Sequence, residues 1–202
     1  MRMFAAVLPP EDVVEDLEEF LGPRREAYRV GSERRLRWTM PFQWHLTLAF
    51  MAQVPDRSLD DLVERLTRAG RRRTPFEVRV AGGGAFPGPA RAKVIYAGVE
   101  GSAEADEELR RLATGARAAA GKAGATAEGG PFRPHLTLAR AGRPVEATRW
   151  LRVLDTYRSR VFVVDSFVLV ESHLGEGPRN RPRHEVVARF GLGRGADAET
   201  GV

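Results

Sequence analysis

The stretch His45-Leu46-Thr47-Leu48-Ala49 decides the reading of this chain, because it returns letter for letter as His135-Leu136-Thr137-Leu138-Ala139. The first copy sits in QWHLTLAF and the second in FRPHLTLAR. The chain has only four histidines, and two of them open these words. Both words read as strands. Side chains alternate faces along a strand, so His45, Thr47 and Ala49 are expected on one face and Leu46, Leu48 and Phe50 on the other. The same alternation sets His135, Thr137 and Ala139 against Leu136 and Leu138. A shared pentapeptide arises by chance in on the order of one chain in a hundred at this length.

Outward from the words, the two halves run in the same order. Arg2 to Leu8 reads as a buried strand stopped by Pro9-Pro10, and Val13, Val14, Leu17, Phe20 and Leu21 follow at helical spacing. Residues 22–43 read as a basic loop around a short strand. After the first word, Ser58 and Asp61 form a capping-box signal for a helix with Leu59, Leu62, Val63 and Leu66 on its apolar face. PFEVRVAG and KVIYAGV read as strands. In the second half Ser102 caps a helix through Leu109 and Leu112. Beyond the second word come a helix marked by Ala147, Trp150, Leu151 and Leu154, then the strands VFVVDSFVLV and HEVVARFGL. After each word the order is helix, strand, strand. The expected unit is one bilobal domain over residues 1–192, with half-repeats near 1–99 and 100–192 and a frayed tail at 193–202.

Composition narrows the class. The chain has 202 residues, 43% apolar and 29% charged, which suits a globular protein with a sizeable core. It has no Cys, so disulfides and thiolate metal sites are excluded. No apolar run approaches the roughly 18 residues that span a bilayer, and the N-terminus does not read as a secretory signal. A cytoplasmic monomer without membrane attachment is expected. The formal net charge is +5, carried mostly by Arg, which favours a phosphate-rich partner such as RNA. Arg71-Arg72-Arg73 reads as a solvated helix end, where cations suit the dipole.

If a pseudo-twofold axis relates the halves, two imidazoles and two Thr hydroxyls meet across one groove. Near neutral pH one imidazole can be neutral and the other protonated. The neutral ring takes a proton from attacking water while the protonated ring gives one to a departing oxygen. The hydroxyls of Thr47 and Thr137 can donate to anionic oxygens. This set suits in-line displacement at phosphorus with no metal, no cofactor and no covalent enzyme intermediate. A zinc site would want a third ligand and a tight spacing that is absent here. No G-x-S-x-G appears, and GGGAFPG fits neither Walker A nor G-x-G-x-x-G.

The paired H-x-T-L words, half a chain apart, resemble the motifs of the two-histidine phosphoesterases. MRMFAAVLPP, WHLTLAF, FRPHLTLAR, GAFPGPARAKVIYAGV and VDSFVLVESHL resemble the RNA 2′,3′-cyclic phosphodiesterases, the LigT-like or 2′-5′ RNA ligase-like group, over about residues 1–191. The resemblance implies an α+β fold, a bilobal pseudo-twofold arrangement of two antiparallel sheets with outer helices around a central groove. It implies metal-independent hydrolysis of a 2′,3′-cyclic phosphate on RNA or a nucleotide to a 2′-phosphomonoester. It implies His45 as proton donor, His135 as proton acceptor, and Thr47 and Thr137 as phosphate holders. The near-symmetry of the words leaves the reverse assignment open. Reversible 2′-5′ ligation and RNA binding without turnover stand as alternatives.

Five residues after each motif His the halves diverge into Phe50 and Arg140. Phe50 is a candidate for stacking on a base and Arg140 for neutralising the phosphate, although simple alternation turns both toward the greasy side. Met51-Ala52 replaces the Leu-Gly that usually follows in the group. Near the last strand His184 stands about where the group carries Tyr. Arg179, Arg181 and Arg183 beside it could guide RNA or simply form a basic hairpin. His173 reads as a surface residue at a strand end.

Overall fold

The computed structural model describes residues 1–28, 35–177 and 180–201. In chain order the elements are β1 (Met3–Val7), α1 (Glu11–Ala27), β2 (Leu36–Trp38), β3 (Leu46–Met51), α2 (Leu59–Arg71), β4 (Phe76–Phe86) and β5 (Ala92–Gly101). They continue with α3 (Ala103–Lys122), β6 (His135–Val145), α4 (Thr148–Leu154), β7 (Phe162–Val164), β8 (Ser166–Gly177), β9 (Arg181–Gly191) and β10 (Ala198–Thr200). Helix α1 runs on through Pro23 to Ala27, so part of the expected basic loop is helical.

The strands join in the order β10-β9-β8-β1-β3-β6-β5-β4-β7, with β2 also on β6, and the pairings are antiparallel. The two expected sheets are thus two wings of one sheet, joined where β3 meets β6 through one pair, Leu46 with Leu136. These leucines are the second letters of the two words. Equivalent residues that pair with each other in antiparallel sense mark a local twofold axis.

The register carries the symmetry outward. Ala6 faces Thr47 and Ala5 faces Ala49, skipping Leu48; Tyr96 faces Thr137 and Ile95 faces Ala139, skipping Leu138. Each word therefore carries a β-bulge at the same letter. The register matches β5 with β1: β5 flanks β6 as β1 flanks β3. The repeats also interleave, because β8 completes the wing of β1 and β3 while β4 and β5 complete the wing of β6. A second parallel between the wings is the bridge of Glu128 to Phe50, which matches the pairing of Arg37 with Arg140.

The helices lie behind the sheet. Helices α2 and α3 pack on each other, with α3 on β3 and α2 on β8 and β9. On the other wing α4 packs on β4, and α1 reaches it through Tyr28 against Trp150. The main core holds Leu46, Leu48, Leu136 and Leu138 with the apolar faces of these helices. The Ser102 hydroxyl caps α3 by accepting from Ala105 N at 3.2 Å, whereas Ser58 makes no side-chain cap because a 3-10 turn over Asp56–Ser58 leads into α2. Arg71 and Arg73 are engaged rather than merely solvated: Arg71 binds the Ala196 carbonyl and Asp197, and Arg73 reaches Glu108. The tail shares in this, since Ala198–Thr200 pairs with β9 as β10 where the sequence offered a frayed end. No described helix is long and apolar enough to cross a membrane.

Candidate active site

The bulges decide which side chains reach the groove. Up to Thr47 and Thr137 the alternation holds. At Leu48-Ala49 and Leu138-Ala139 two successive side chains turn inward, and Ala49 and Ala139 are buried in the main core. This corrects the expected placing of both alanines beside His and Thr. It also corrects the parity of Phe50 and Arg140. Phe50 belongs to the groove face, packed with Phe4, Ala6, Val168 and Val170 in a small cluster separate from the main core. Its ring carries the Arg2 guanidinium at 4.4 Å. Arg140 is exposed and opposite Arg37, on the same groove face.

The two imidazoles are held alike. His45 Nδ1 is 2.7 Å from the Gln43 carbonyl, and His135 Nδ1 is 2.6 Å from the Arg133 carbonyl. A carbonyl can only accept, so each Nδ1 carries the hydrogen and each neutral ring presents a bare Nε2. The acceptor for His45 is itself anchored, because Gln43 is buried and its Nε2 donates to the Pro182 carbonyl at 2.7 Å. Among the described residues neither Thr47 nor Thr137 gives its hydroxyl to another protein group, and both are half-buried.

The walls differ. His45 stacks on Phe4 with ring centroids 4.4 Å apart, and His184 stands edge-on to both, 5.6 Å from His45 and 5.1 Å from Phe4. His135 is bounded by Phe86 at 5.1 Å and Tyr96 at 5.2 Å. Tyr96 lies directly over Gly84, where any Cβ would fall 2.3 Å from its hydroxyl. The glycine run that matched no phosphate loop thus serves clearance beneath an aromatic wall.

Burial and positive neighbours push the rings toward their neutral forms. Desolvation, followed by the charges of His184, Arg140 and His135, lowers the His45 pKa to about 4, even though its backbone hydrogen bond favours the charged form. His135 is lowered by burial and by Arg140, and His184 by burial and by Arg2. The pairing of Leu46 with Leu136 sets His45 and His135, the residues just before them, on either side of the seam.

Arg2, Arg37 and His184 escaped the sequence reading as groove residues. His184 had a signal in its position near the last strand; Arg2 and Arg37 had none beyond alternation with Phe4 and pairing with β6. Of the basic trio, Arg179 lies outside the described residues, Arg181 opens β9, and Arg183 pairs with Glu176 and Glu185. His173 is on β8 near Glu171, Glu176 and Glu185. Among the described residues no group of three or more His, Asp or Glu is arranged to hold a metal ion.

The family model of the 2′-5′ RNA ligase superfamily matches residues 9–176. The chain belongs to this superfamily. An RNA 2′,3′-cyclic phosphodiesterase of Thermus thermophilus is 33% identical over 198 residues, covering 95% of this chain and 90% of that protein. One from Aeropyrum pernix is 34% identical over 149 residues, covering 72% and 82%. Among solved structures, TT0787 of Thermus thermophilus superposes with a TM-score of 0.74 at 30% identity, covering 96% of this chain and all of that one. Escherichia coli LigT, 23% identical with a TM-score of 0.70 over 96% and 98% of the two chains, shares the fold. The arrangement of strands and helices described above is therefore one that these solved structures share.

Proposed function

We propose that this chain is an RNA 2′,3′-cyclic phosphodiesterase, opening a cyclic phosphate at an RNA end or on a nucleotide to leave a 2′-phosphomonoester. The supporting observation is the matched pair at the seam: two imidazoles with like Nδ1–carbonyl tethers, each leaving Nε2 without the proton and each two residues before a Thr on its own strand. His135 Nε2 takes a proton from the attacking water as its oxygen bonds to phosphorus. His45 Nε2 gives a proton to the departing 3′ oxygen. Thr47 and Thr137 donate to the non-bridging oxygens, and Arg140 offsets their charge as it grows in the transition state. The aromatic walls lower the local dielectric, which strengthens each of these interactions.

The depressed His45 pKa bears on the donor role. In the free groove at pH 7 the ring is neutral. A bound phosphate anion favours the protonated form, so His45 becomes an acid as substrate arrives. The Phe50 ring supports Arg2 rather than offering a free face to a base.

The test is hydrolysis of an oligonucleotide ending in 2′,3′-cyclic phosphate, with phosphorus NMR of the product. A 2′-phosphate that forms in the presence of a chelator and disappears in His45→Ala and His135→Ala supports the proposal. A 3′-phosphate, or turnover indifferent to both substitutions, overturns it. Salt-sensitive RNA binding without turnover would favour the binding-module alternative.

A further inference from the structure

The two words reach the same histidine tether by different means. In the second word the run is Arg133-Pro134-His135. His135 Nδ1 donates to the Arg133 carbonyl, and Pro134 stands between them. A proline ring locks its own φ at about −65° and holds the residue before it extended, so the chain itself stiffens this tether.

In the first word the run is Gln43-Trp44-His45. Trp44 adopts φ −69° and ψ 128°, the conformation a proline would enforce, without a proline ring. Its hold comes from outside the residue. Trp44 N donates to the Pro41 carbonyl at 3.0 Å, closing the 3-10 turn Pro41–Gln43, and the indole is buried in the main core. The remaining hold is the Gln43 side chain, which is buried and donates from Nε2 to the Pro182 carbonyl at 2.7 Å. An amide is costly to bury unless paired, so this bond fixes where the turn sits against β9.

Strand β9 is open to that bond. Among the described residues the register of β8 with β9 breaks between His173 and Gly177, and Pro182 falls in the break without a partner on β8. Two residues on, His184 stands edge-on to the His45 ring at 5.6 Å. β9 therefore reaches His45 twice, through the Pro182 carbonyl that holds Gln43 and through the His184 ring.

We propose that Gln43 is a positioning residue for His45: its side chain ties to β9 the carbonyl that orients the ring, the task Pro134 performs for His135. That the oriented ring is a proton donor rests on the cyclic-phosphodiesterase reading above. The aim of the donor then depends on a strand remote in sequence, whereas the aim of the acceptor is set within its own tripeptide.

The experiment uses the full chain with nitrogen-15 in its histidines, and the variants Gln43→Met and Gln43→Asn. The first keeps the bulk and loses the donor; the second keeps the amide one methylene short of its reach. Ring-nitrogen NMR at neutral pH reads which nitrogen carries the hydrogen, and kcat and KM are measured on adenosine 2′,3′-cyclic phosphate. In the unsubstituted protein both His45 and His135 should carry it on Nδ1. In Gln43→Met the separation of the two His45 nitrogen shifts should shrink as the Nε2–H form enters, while that of His135 holds. kcat should fall about 10–100-fold with KM within about twofold, the mark of a misaimed group rather than a lost substrate contact. Gln43→Asn should show the same changes in smaller measure, and the His135 signals report in each sample that the fold is intact. His45 signals unchanged in both variants overturn the proposal. Equal changes at His45 and His135 also overturn it, as does a raised KM or a lowered Tm at constant kcat. If the unsubstituted protein does not turn over the cyclic phosphate, the enzymatic reading falls, and the nitrogen spectra still decide what holds His45.

Discussion

The two HLTLA words share their letters, their bulge and their histidine tether, yet their surroundings diverge. Around His45 stand Phe4 and a third imidazole, His184, and the strand continues to an apolar Phe50. Around His135 stand Phe86 and Tyr96, and the strand continues to a cationic Arg140. The backbone supplies a symmetric pair of proton-transfer groups. Their neighbours make the pair unequal, with His45 the more strongly driven to its neutral form. Duplication delivers the geometry, and divergence at a few flanking positions assigns the work.

The most forceful way to break the comparison is to remove each ring. His45→Ala and His135→Ala should each lower kcat by about 10²–10⁴-fold, with the double variant little worse than either alone. Strictly additive losses in single-turnover rates would show that the rings do not act on one phosphate. Next in size is the divergent flank. Arg140→Gln should cost about 10–100-fold in kcat/KM, whereas Phe50→Leu should cost far less, so steady-state kinetics on the pair measures how unequal the flanks are. The aromatic wall can be probed at Gly84. An Ala there forces Tyr96 to swing off His135, and the expected cost is about 1–3 kcal/mol of stability by denaturant titration, with a raised KM.

The smallest effect concerns pH. Folded His45 binds its proton at about 4, against an ordinary 6.5. As pH falls the unfolded chain is protonated first. The stability owed to the neutral ring is complete above 6.5 and is lost as pH drops through 4. His45→Gln should therefore reduce by a few degrees the loss of Tm between pH 7 and pH 4. Because a bound phosphate raises the same ring, the kcat profile should lie at higher pH than that of kcat/KM. Coincident profiles would show that the substrate leaves the histidines unperturbed.

Much of this site was legible in the sequence because repetition is a signal that survives without any structure. His45, Thr47, His135 and Thr137 came from the repeated word, whose two copies meet at the Leu46–Leu136 pair. Strict alternation failed one residue further on, because a bulge adds an inward-facing residue at Leu48-Ala49 and Leu138-Ala139. No local composition marks that bulge, so Phe50 and Arg140 were turned the wrong way. Arg2 was hidden for a different reason: it opens the chain, and only the pairing of β1 with β3 and β8 carries it to the rim. His184 arrives from β9, and no spacing rule links it to His45. Interleaving also blurred the half-repeat boundary, since β5 ends the first half in order along the chain but stands where β1 stands in space.

That interleaving constrains how the chain can be divided. Cut between Phe86 and Ala92, neither fragment would own a finished wing: one would keep β3 without its full set of neighbours and the other β6 without its own. Each would bare unpaired strand borders, the surfaces that recruit foreign strands. Lending strands to each other is the pairing that would close both borders, so cutting the chain here should trade one monomer for a strand-exchanged pair.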